Sequence, residues 1–238
     1  MSASAPPSID KPDTTLYMPQ VCRAVACLLV AVYHGSARIA SWYHEKPLLA
    51  LGDFGFSGVH MFFVISGLII YHAHYRDVGN YRQVPAYCLK RLVRIYPLYW
   101  IVFFLLGGWK VLADRLEPGD FLSNALFFSS SQSLVVAVSW TLAYEMLFYA
   151  MFIAFIVSRS LGLAVFAAWF SLVGLNHHYQ FANLTGLDLL NILFMLGLLT
   201  SAALMTLREK LGPRQRDWIG IISIVAGTVI FVSTEIGR

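Results

Sequence analysis

Residues 54–72 read FGFSGVHMFFVISGLIIYH. After His60 the run is almost purely apolar, with Ser66 and Gly67 as its only small interruptions. As a helix it would rise about 28 Å, close to the roughly 30 Å of a bilayer's hydrocarbon core. The same kind of run recurs on both sides of it: 21–42 before, then 95–113, 139–157, 161–175, 187–207 and 218–233. Residues 121–138, FLSNALFFSSSQSLVVAV, are too polar in the middle for a span and suit a short interfacial or re-entrant piece. Over all 238 residues the chain is 58% hydrophobic and 13% charged, whereas soluble proteins carry about 25% charged residues. That balance cannot keep a soluble surface dispersed, and it excludes disorder, collagen and a disulfide scaffold. The expected fold is all-α, a polytopic membrane protein of about seven transmembrane helices. Residues 1–16, polar and Pro-rich, read as a disordered cytoplasmic tail, and 17–238 as a single transmembrane domain.

Charge sets the orientation. With the N-terminus in the cytoplasm, twelve of the seventeen Lys and Arg fall on the cytoplasmic side, all but Arg38, Lys46, Lys110, Arg115 and Arg238. The net charge of +4 is therefore explained by membrane orientation, and no nucleic acid partner is expected. The three cysteines, Cys22, Cys27 and Cys88, are an odd number without Cys-x-x-Cys or Cys/His spacing and read as reduced thiols.

An ionisable side chain in hydrocarbon costs about 2.5–3.5 kcal/mol on insertion scales and so needs a partner or a task. Arg23, His34, His60 and Glu145 stand inside the apolar runs. Arg23 and His34 are eleven residues apart, within about 20° of three full helical turns and about 16 Å along the axis. They share a face, Arg23 near the cytoplasmic headgroups and His34 past the bilayer centre. Glu145, behind Trp140, enters from the outer side to about 8 Å, near the level His34 reaches. A carboxylate beside a histidine can fix its tautomer and stabilise the imidazolium that forms when a hydroxyl proton is taken. A structural polar pair between helices would look the same in sequence, and His60 either joins this cluster or packs against it.

Two further features are weaker. Arg91 and Arg94, at i and i+3 in KRLVR, project from one helix face and suit phosphate binding on the cytoplasmic side, although stop-transfer charges have the same pattern. Glycines at 52, 55 and 58 permit close backbone approach.

In order, RAVACLLVAVYH (23–34), FGFSGVHMFFVISGLII (54–70), KRLVRIYPLYW (90–100) and SWTLAYEMLFY (139–149) resemble the motifs of the bacterial membrane-bound acyltransferase-3 family, the exopolysaccharide, O-antigen and Nod-factor O-acyltransferases. The resemblance is strong over residues 17–155. It implies acyl transfer, usually acetyl, from cytoplasmic acyl-coenzyme A to a hydroxyl of a carbohydrate acceptor, by a multi-pass protein of the bacterial inner membrane. Residue by residue, it implies His34 as the essential histidine, Arg23 as the start of the R-x10-H motif, and Arg91 and Arg94 as an R-x-x-R motif for the coenzyme A end. Glu145 matches the acid of the W-S-L-x-x-E-type motif, with Trp140 at its head. His60 stands where many members have Asp, and the resemblance leaves His60 and Trp140 as acceptor-contacting or site-shaping residues. Members of the family continue with further helices, so the resemblance also implies a chain short of the family's last helices.

The expected chemistry needs no metal, since no H-E-x-x-H-type ligand spacing is present. His34, oriented by Glu145, either deprotonates the acceptor for direct attack or accepts the acyl group itself. Two other readings stay open: a secondary transporter or flippase, whose expected internal repeat is not found, and an inactive truncated membrane subunit.

Overall fold

The computed structural model describes residues 17–43, 54–112, 117–126, 134–136, 139–182, 184–207 and 210–236. The N-terminal tail 1–16, the loop 44–53 with its Gly52, and residues 127–133 and 137–138 of the interfacial stretch lie outside the described residues. Helices α1 (Tyr17–Tyr43), α2 (Ser57–His74), α3 (Val84–Leu112), α5 (Trp140–Val157), α6 (Arg159–Tyr179), α7 (Asn191–Thr206) and α8 (Pro213–Ile236) cover the seven apolar runs, and the short α4 (Pro118–Ala125) falls between α3 and α5. By length and composition α1, α2, α3, α5 and α6 can each cross a membrane, while α7 is a shorter apolar helix. On α3, Leu98, Leu105 and Trp109 are 69%, 72% and 70% exposed. Large side chains left open in this way are stable against lipid, not water. The expected all-α, polytopic membrane fold is the observed one.

Helix α3 departs from expectation. It begins at Val84 and not at Ile95, so the basic stretch 90–94 is helical and Pro97 lies inside the helix instead of in its first turn. Hydropathy marks only the part of a helix that meets lipid, and the polar start of α3 packs against protein: Tyr87 is 2% exposed and its hydroxyl donates to the Tyr149 carbonyl at 3.0 Å. Pro97 has no N–H to give the Val93 carbonyl, a defect that long transmembrane helices tolerate and that bends them.

Other helix ends follow local chemistry. Extended backbone at Ser158 (φ −159°, ψ 138°) separates α5 from α6, and Gln180, with φ 48°, ends α6 in the left-handed region. Pro118 opens α4 behind an extended Glu117. Hydrogen bonds from Tyr99 Oη to the Asn124 carbonyl (2.7 Å) and from Trp100 Nε1 to that of Ala125 (3.2 Å) hold α4 against α3. Cys22, Cys27 and Cys88 are free thiols.

Helix α2 lies at the centre, packed by α1, α5, α7 and α8. Its crossing with α7 is backbone on backbone. A Cβ at Gly67 would fall 2.0 Å from the Phe194 carbonyl oxygen, and one at Gly197 would fall 1.9 Å from that of Val64. Next to the crossing, Phe194 is stacked between Phe63 (ring centroids 4.5 Å apart) and Phe148 (4.7 Å). Lipid is as apolar as leucine, so burial alone does not hold such helices together; close van der Waals packing at small residues does. The glycines before and at the start of α2 bring in α1 in the same way. A Cβ at Gly55 would meet the Leu29 carbonyl oxygen at 2.3 Å, and one at Gly58 that of Ala26 at 2.5 Å.

Gly67→Ala is expected to cost at least about 1–3 kcal/mol as an overpacked contact with no flexible neighbour to give way. Gly174→Ala, inside α6 where a Cβ meets nothing within 4 Å, should not destabilise and should gain up to about 1 kcal/mol from helix propensity. Thermal unfolding in detergent of the two variants checks this.

Candidate active site

The register that Gly55 and Gly58 impose on α1 determines what faces α2. Tyr33, whose Cβ lies against Gly55, packs its ring on Phe56 at 5.6 Å, and Phe56 in turn stacks on Trp140 of α5 at 6.2 Å and 17°. These rings form one wall of a cavity of about 430 Å³ between α1, α2, α3 and α5. Val30, Val59, Phe62 and Phe63 add apolar lining, and the polar lining consists of Arg23, His34, Ser66, Arg94, Thr141 and Glu145. Arg23 and His34 do share a face of α1, and they meet Glu145 and Trp140 at one cavity, as their helical spacing predicts.

Within it, His34 is an open side chain whose ring meets that of Tyr33 edge-on at 5.2 Å. Glu145 does not hydrogen-bond to His34. Its carboxylate accepts at Oε1 from the hydroxyl of Tyr149, one turn further along α5. The expected histidine–carboxylate pair is thus two groups facing a common space and not a direct bond. Sequence reasoning missed Tyr149, although YEMLFY places it at i+4 from Glu145, a spacing at which helical side chains meet.

The two arginines of KRLVR part company. Arg94 is exposed, lines the cavity, and has no salt-bridge partner among the described residues; the same holds for Arg23, which is half-buried. Arg91 is buried, with its guanidinium on His74 Nε2 and over the rings of Tyr87 and Tyr149. It borders a much smaller recess that continues from the cavity past Ser66, with Arg23 and Arg94 again on its wall. His60 is 1% exposed and packs edge-on against Phe56 at 5.3 Å. It is not part of the cavity lining, so it supports the aromatic wall from behind.

Two open guanidinium groups and one carboxylate give the cavity a net positive charge, with an imidazole facing the acid. Ionisable groups in membrane spans characteristically face the protein interior or a water-filled cavity, and here they share one. The fold and this cavity define the class: an all-helical, multi-pass membrane protein with a charged site enclosed by four of its helices. The acyltransferase-3 family, described as an acyltransferase domain, matches residues 17–235, and the chain belongs to it. No curated protein and no solved structure matches the chain.

Proposed function

We propose that the chain is an O-acyltransferase that moves an acyl group, acetyl in the simplest case, from acyl-coenzyme A to a hydroxyl of a surface or exported carbohydrate. The observation that carries this reading is the convergence of Arg23, Arg94, His34 and Glu145 on one cavity of an acyltransferase-family protein. Guanidinium groups without a salt-bridge partner among the described residues match phosphate oxygens by charge and by their planar fork of donors. Arg23 and Arg94 would hold the donor's phosphates on the cytoplasmic side, and the apolar walls would receive the pantetheine arm and the acyl group. The stacked Phe56 and Trp140 offer a flat apolar face suited to the C–H face of a sugar ring. With the basic clusters on the cytoplasmic side the donor would bind inside and the acceptor outside, in the bacterial inner membrane that the resemblance implies.

In the reaction, His34 takes the proton of the acceptor hydroxyl as its oxygen attacks the thioester carbonyl carbon. The carbon–sulfur bond breaks, an ester forms, and coenzyme A leaves as the thiolate, which the His34 proton then neutralises. Glu145 across the cavity stabilises the transient imidazolium. An acyl group held on His34 would divide the same transfer into two steps.

Acetyl-coenzyme A binding to the full chain in detergent tests the donor half without knowledge of the acceptor. Arg94→Ala removes a charge-assisted contact of about 1.5–3 kcal/mol and should weaken binding by about tenfold to a hundredfold. No binding by a folded wild-type chain would overturn the donor assignment and favour the transporter reading. His34→Ala should keep donor binding and lower transfer to a hydroxylated glycan by about 10²–10⁴-fold. Transfer at the wild-type rate would remove His34 from the mechanism.

A further inference from the structure

Arg91 and the residues around it form a second polar unit, outside the cavity lining. We propose that Arg91 is a positioning residue for Glu145 and not a ligand of the donor's phosphates, acting through Tyr149 and anchored by His74 and Asp77. This rests on the reading of Glu145 as the acid of the transfer.

The anchoring follows from donor and acceptor counts. Arginine only donates, so the His74 Nε2 facing the Arg91 guanidinium must accept. The ring proton is then on Nδ1, which donates to Asp77 Oδ2 at 2.8 Å. A neutral imidazole thus links the buried guanidinium to a carboxylate in the turn after α2, and the opposite charges balance. His74 is 4% exposed and Arg91 9%, so this balance is set within the protein.

Arg91 is also held by aromatic faces. Its Cζ lies 5.4 Å from the centroid of Tyr87 and 5.2 Å from that of Tyr149, a cation between two rings. The Tyr87 hydroxyl donates to the backbone carbonyl of Tyr149 at 3.0 Å. Tyr149 is therefore fixed at its backbone and on its ring face, and its hydroxyl donates to Glu145 Oε1. With one carboxylate oxygen tied down, Glu145 has a defined direction at the cavity. For its Nη2 to reach a phosphate, Arg91 would have to leave His74. Its Nε is buried without a hydrogen-bond partner among the described residues, in contrast to the open fork of Arg94 three residues on.

Six full-length variants, with purified protein assayed for acetyl-coenzyme A binding and for transfer, test the assignment. Tyr149→Phe keeps the ring and removes only the hydroxyl. It should leave donor affinity within about twofold and lower kcat by about a hundredfold, as for a misplaced catalytic group. His74→Leu should lower kcat in the same way. His74→Gln, whose amide can accept from Arg91 and donate to Asp77, should restore most of it, a rescue that packing alone does not predict. A wild-type kcat in Tyr149→Phe would overturn the proposal, as would a loss of donor affinity in Arg91→Met equal to that in Arg94→Ala. Glu145→Gln separates the two levels: wild-type transfer there overturns both this proposal and the acid's role, whereas an inactive Glu145→Gln beside a fully active Tyr149→Phe overturns this proposal alone.

Discussion

The reciprocal contact of Gly67 and Gly197, each with its Cα against a carbonyl of the other helix, is the constraint on which the other contacts are arranged. Two helices can approach this closely only where neither has a side chain, and in lipid there is little else to hold them together. The crossing fixes α2 against α7. It also brings Phe63, Phe194 and Phe148 into one stack, which carries α5 onto the same centre. Gly55 and Gly58 repeat the device toward α1. Of the side chains at the cavity, His34 and Arg23 come from α1 and Glu145 and Trp140 from α5. The site is thus assembled by α1 and α5 meeting on α2, with Arg94 added from α3, and the small residues of α2 and of the turn before it decide where α1 meets it.

Against that rigid centre, the treatment of charge is uneven. Arg91 is enclosed by His74, Tyr87 and Tyr149, while Arg94, less than one turn away, faces the cavity without a salt-bridge partner among the described residues. A charge in a span is stable when the protein itself supplies donors, acceptors or aromatic faces. Arg91 has that supply. Among the described residues no acid pairs with Arg94 or Arg23, which leaves their donors open toward the cavity.

Much of this was legible in the chain. Length and hydropathy give the helical membrane fold, and the eleven-residue spacing puts Arg23 and His34 on one face. Both readings depend only on helix geometry, which the sequence expresses directly. The start of α3 at Val84 was not legible, because polar residues that pack on protein look like a loop to a hydropathy reading. Nor was the separation of Arg91 from Arg94: i and i+3 spacing says which face two residues share, not what covers each of them. His60 shows the same limit, since a histidine in an apolar run reads alike whether it lines a cavity or backs an aromatic wall.

The glycines illustrate how a weak signal gains meaning only through its partner. In the sequence, Gly55 and Gly58 mark a place where something can come close. The structure supplies the other half, the carbonyls of Leu29 and Ala26, and these lie on α1 between Arg23 and His34. A side chain at either glycine would push α1 outward along the stretch that joins its two functional residues, and would widen the cavity on the side away from Glu145. The same small residues that make the helix pair stable therefore also set the distance between the histidine and the acid.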